Sequence, residues 1–92
     1  MADITETLAE RGPRHGRFTE HAMYTQQLKF ILHSSPKWEG MAYDLRESLE
    51  MIVHKIGRIL AGDPTFSDHW HDIAGYAKLV DDRLASAVRA VR

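Results

Sequence analysis

The chain has no cysteine, which excludes disulfides and thiolate metal sites and leaves nothing that ties it to an oxidising compartment. Proline is scarce, at three residues in 92, so few places can interrupt a long helix. Charge of neither sign dominates: twelve Lys and Arg stand against thirteen Asp and Glu, a net charge of −1. Nonspecific binding to a nucleic-acid duplex depends on neutralising phosphates and has no electrostatic basis here. No apolar run approaches the roughly 20 residues of a membrane span. The opening "MADITETLAERG" has no apolar signal core. The expectation is a cytoplasmic chain with no membrane partner. Its length suits one domain with one modest core, a size at which self-association commonly adds stability.

What is present is helical periodicity, with no strand pattern and no internal repeat. A short helix is expected over "DITETLAER", with Asp3 or Thr5 as cap and Gly12-Pro13 as its stop. The loop "GPRHGRF" follows. Thr19 can cap a second helix over Glu20–His33, with Tyr24, Leu28, Ile31 and Leu32 on one face. "SSPKWEG" breaks the pattern through Pro36 and Gly40. Leu45, Leu49, Ile52, Val53, Ile56, Ile59 and Leu60 then recur at helical spacing over Tyr43–Ala61, and "AGDP" ends that stripe. A fourth helix runs from Ser67 or Asp68 to Leu84, with Trp70, Ile73, Ala77, Val80 and Leu84 inward. Residues 85–92 either continue it or fray. The fold class expected is all-α: one domain over 1–92, a small antiparallel bundle of three main helices plus the short first one over 1–18, forming homo-oligomers.

Several polar residues stand out against this frame. Glu47, Glu50, His54 and Arg58 share one side of the third helix, away from its apolar stripe. Asp68, Asp72, Tyr76 and Leu79 follow one flank of the fourth. Gly57 and Gly75, each costing a helix about 1 kcal/mol relative to Ala, fall on the carboxylate side and permit close approach by a ligand or another helix. Carboxylates from two helices suit Mg²⁺, which uses few protein oxygens and completes its shell with water and phosphate. Glu47, Glu50, Asp68 and Asp72 are the candidate ligands, and Lys55 and Arg58 the candidate phosphate contacts. Each has a plainer alternative: a solvated helix face for Glu47 and Glu50, an N-terminal cap for Asp68, an ion pair for Asp72. Zinc is disfavoured, because His69 and His71 point apart on a helix and no HxxxH pairing exists. His15 and His21 read as loop and helix-surface groups, Trp70 as core. Tyr76 can pack its ring while its hydroxyl reaches a ligand.

"RESLEMIVHKIGRILAGD" followed by "DHWHDIAGYAKLVDDRL" resembles small phage-encoded relatives of the MazG-like all-α nucleotide pyrophosphohydrolases. The upstream "ERGPRHGRFTEHAMYTQQLK" is similar to the RG-x-x-YG-x-F lead-in of such phage proteins, with His15 in place of the usual Tyr. Most of the chain is covered. The resemblance implies Mg²⁺-dependent cleavage of a nucleoside triphosphate to monophosphate and pyrophosphate. It implies Glu47 and Glu50 as an ExxE pair and Asp72 as the end of an ExxD. His69 departs from that second motif, and Asp68 would replace it. Glu47, Glu50 and Asp72 would then serve catalysis, with Phe18, His21 and Tyr76 forming the base-binding wall. Dimers or higher oligomers in the host cytoplasm are implied as well. Because of His69, the alternative is a noncatalytic phage accessory protein that binds a host or defence-system protein.

Overall fold

The computed structural model describes Arg14 and residues 16–91, with side chains as far as Val88. The expected first helix, and His15, lie outside the described residues. Within them the order is α1 (Phe18–Ser34), a 3-10 turn (Trp38–Gly40), α2 (Tyr43–Ala61) and α3 (Ser67–Val91). The expected boundaries of α2 are met. Helix α1 begins before Thr19: Arg17 is its N-cap and makes no side-chain cap bond. Helix α3 continues through residues 85–91 rather than ending at Leu84.

The breaks have local causes. At the end of α1, the Ser35 N–H donates to the Leu32 carbonyl and Pro36 follows, a residue that cannot extend the ladder. After α2, the Asp63 carboxylate accepts from the Thr65 N–H at 2.9 Å and the Thr65 hydroxyl at 2.7 Å. Such a short-range Asx arrangement competes with helix and fixes the Asp63-Pro64-Thr65 corner.

Helix α2 is central. It packs against α1 on one flank and α3 on the other, while α1 and α3 barely meet. Two ion pairs fix the α2–α3 register. Lys55 Nζ lies 3.0 Å from Asp72 Oδ2, and Arg83 grips Asp44 through Nε and Nη2, each at 2.7 Å. The pairs are eleven residues apart on both helices (44 to 55, 72 to 83), about three turns, so both fall on one strip of antiparallel seam. On the other flank, Glu50 accepts from His33 at 2.9 Å. Gly57 is buried there, and a Cβ on it would run into the Thr25 hydroxyl and meet His21 at 3.0 Å. Its missing side chain admits α1, a neighbouring helix rather than a ligand.

The fully buried interior among the described residues is small and mixes polar with apolar side chains. Among the described residues only Trp38 and Val53 are buried apolar side chains, alongside buried His21, Thr25, Ser48 and His69. Phe30, Ile31, Leu60, Leu84 and Val88 are exposed. Trp70 is a correction: it is 55% exposed, and its indole N–H donates to the Pro64 carbonyl at 2.9 Å. The side chain turned inward is its neighbour His69, followed by half-buried Ile73, Tyr76 and Val80. One residue is about 100° of helix rotation, enough to carry Trp70 and Ala77 outside.

Candidate functional site

Between the flanks that meet α1 and α3, α2 presents two further strips, the second bordering α1 through Glu50 and His54. One carries half-buried Leu45, Leu49, Ile52 and Ile56 and exposed Leu60; the other carries Glu47, Glu50, His54 and Arg58, one turn apart in that order. The polar strip therefore runs from carboxylates at its start to a guanidinium at its end. Glu47 is exposed and Glu50 half-buried against His33 of α1.

Across the α2–α3 seam, Asp72 meets Lys55. That hydrogen bond, ahead of any other influence, holds the Asp72 carboxyl below its ordinary range, so it is ionised at neutral pH as a cation ligand must be. Asp72 also lines a shallow, open groove with His71, Gly75, Tyr76 and Leu79, all on one face of α3. Nothing lies within 4 Å of where a Cβ on Gly75 would stand, so this glycine opens the groove while Gly57 closes a seam. Asp68 is exposed at the start of α3.

The structure thus joins Asp72, Lys55 and Tyr76 on one flank and ties Glu50 to His33 on the other. Among the described residues it gathers no group of three or more His, Asp or Glu side chains able to hold a metal ion. Phe18 is exposed at the start of α1, its ring centroid 6.5 Å from that of His21. His21 is a correction on two counts. It is neither a surface group nor open to a base, because its ring is buried and its Nε2 donates to the His54 carbonyl at 3.1 Å.

His69 is placed just as plainly. It is 1% exposed, donates from Nε2 to the Arg14 carbonyl at 3.3 Å, and stands edge-on to Phe66 with centroids 5.0 Å apart. The Asp63 N–H donates to the same carbonyl at 3.1 Å, and the Arg14 guanidinium covers the Phe66 ring at 5.2 Å. Gly16, at φ 79°, rests against the Ala61 backbone, a conformation and an approach only glycine tolerates. His69 therefore latches the loop before α1 onto the α2–α3 corner. An imidazole serves there because it can be buried neutral and still donate one hydrogen bond, which a carboxylate cannot do. His69→Ala is expected to cost about 2–3 kcal/mol from the lost ring packing and the orphaned carbonyl. Thermal unfolding reads this as a drop in Tm of about 10–20 °C. His71→Ala, at an exposed position, should stay within about 0.5 kcal/mol of the parent.

Sequence reasoning missed His33, the partner of Glu50, and the latch role of His69. No spacing rule links residues 33 and 50, which only the crossing of α1 over α2 brings together. Comparison of the chain with family models, characterised proteins and solved structures returns no match to any of them.

Proposed function

We propose that the protein is a Mg²⁺-dependent, nucleotide pyrophosphohydrolase-like phage protein that works as a homo-oligomer in the host cytoplasm. The observation that carries this reading is the ordered strip on α2, Glu47–Glu50–His54–Arg58; Asp72, tethered to Lys55, lies on the opposite, α3-facing flank, so a partner copy would bring the two carboxylate sets to one ion. The tether is a placeholder pair. Lys55 occupies the carboxylate until a metal-bound polyphosphate offers each partner a better one: the cation for Asp72, phosphate oxygens for Lys55. Glu50 and Asp72 are the principal ligands, Glu47 and Asp68 the secondary ones, and Arg58 a phosphate contact. Mg²⁺ would neutralise the polyphosphate and lower the pKa of an attacking water. Tyr76 and Phe18 supply aromatic surface for the base; His21, being buried, does not. The test is pyrophosphate and monophosphate release from each nucleoside triphosphate with Mg²⁺. Product from at least one triphosphate is expected, and none from any would defeat the reading.

Self-assembly is supported by the apolar side chains that the described residues leave exposed. Phe30, Trp70 and Leu84 are among those available to be covered by a second copy. Light scattering should give a multiple of 10.5 kDa, reduced by Trp70→Glu or Phe30→Glu. A monomer at micromolar concentration would contradict this part of the proposal.

The same apolar surface favours a second reading, a noncatalytic accessory protein docking on a host or defence-system protein. Its discriminator is a nucleotide panel with Mg²⁺. Ligand binding to the native state raises Tm, so the second reading requires no shift with any nucleotide together with recovery of a specific partner.

A further inference from the structure

The rings that meet in the α1–α2 seam are imidazoles. His21 is buried and donates to the His54 carbonyl, and the two rings stand edge-on with centroids 4.5 Å apart. The buried Thr25 hydroxyl beside them has no hydrogen-bond partner, and Gly57 sets the close approach. Among the described residues, the charged or titratable groups acting on this pair are Lys29 from α1, Lys55 and Arg58 from α2, and His69 from α3. Glu50, one turn before His54, is bonded to His33. Burial first, then the neighbouring cationic and imidazole groups, push His54 down to about 4. Burial likewise lowers His21, against the opposing effect of its bond to the His54 carbonyl.

We infer that the N-terminal half of α1 is a proton-operated clasp, closed on α2 while His21 and His54 are neutral and lifted away when they are protonated. Its sign follows from linkage. A solvated ring takes its proton near pH 6.5, while a ring held in the seam takes it at a lower pH, so the open form binds protons first. The closed form is at full strength above about pH 6.5 and weakens as the pH falls toward 4. The other end of α1 is held by the His33–Glu50 hydrogen bond at 2.9 Å. On the α2–α3 seam, Lys55 and Arg83 hold Asp72 and Asp44 below the usual carboxylate range, so those pairs stay charged at pH 5. Acid therefore opens one half of one helix. The inference rests on the seam alone and is independent of any nucleotide activity.

Amide hydrogen exchange of the full chain at pH 7.5 and 5.0, corrected for intrinsic rates, tests it. Protection over residues 21–27 should fall about tenfold or more between the two, while residues 30–34 and the middle of α2 keep theirs. In the double variant His21→Gln/His54→Gln the fall should vanish. If that variant does not fold, His54→Gln alone should show a smaller fall than the parent. Equal protection at both pH values in the parent, a uniform loss over all three helices, or an unchanged fall in the variants would each overturn the clasp.

Discussion

Gly57→Leu is expected to lower Tm by more than about 12 °C, while Gly75→Ala raises it by about 4–8 °C. Each glycine lies inside a continuous helix, and replacing either recovers up to about 1 kcal/mol of intrinsic propensity. What differs is the neighbour. A Cβ on Gly57 runs into the Thr25 hydroxyl and meets His21, both already buried in the α1–α2 seam. Leucine adds three more carbons where none fits, so α1 must lift and forfeit the burial of His21, Thr25 and Val53. Overpacking of this kind costs roughly 3 kcal/mol, and about 1 kcal/mol is worth 4–8 °C in a domain of this length. A Cβ on Gly75 meets nothing within 4 Å. The propensity gain is then uncompensated, and the helix stiffens. Circular dichroism melts of the two variants beside the parent suffice, and equal shifts of one sign would show that the seam is not tight.

The second large effect is on the proposed triphosphate hydrolysis. Glu50→Gln and Asp72→Asn should each lower pyrophosphate release at least about 100-fold, which corresponds to about 3 kcal/mol of transition-state stabilisation. Neither change should unfold the chain, because Glu50 and Asp72 hold partly exposed pairs with His33 and Lys55, and such pairs contribute little to stability. Glu47→Gln and Asp68→Asn, at exposed positions, should lower turnover by about tenfold. Product formation by Asp72→Asn at the parent's rate would remove that carboxylate from the chemistry.

How much of this was legible in the sequence differs by element. Helix α2 was, with its boundaries, because "YDLRESLEMIVHKIGRILA" repeats apolar residues at 3.6-residue spacing and ends at a glycine and a proline. The turns were legible too, since Pro36 and Asp63-Pro64 act locally. The packing was not. Pattern reading assigns apolar residues inward, yet the described chain buries His21, Thr25, Ser48 and His69 while Phe30 and Trp70 face out. Periodicity cannot separate Trp70 from His69, neighbours 100° apart, once the polar one has a buried acceptor. That acceptor is the Arg14 carbonyl, 55 residues away in sequence. The strip on α2 was legible for the same reason as the helix. The partners of the candidate carboxylates belong to the tertiary fold: His33 reaches Glu50 from α1, and Lys55 reaches Asp72 across to α3.

Titration of the protein with Mn²⁺, followed by electron paramagnetic resonance with and without a nonhydrolysable nucleoside triphosphate, addresses the proposed shared ion. The expected result is one tightly held Mn²⁺ per site that requires nucleotide and is lost in both Glu50→Gln and Asp72→Asn. Mn²⁺ that stays free in the presence of every nucleotide, or that binds the two variants as well as the parent, would contradict it.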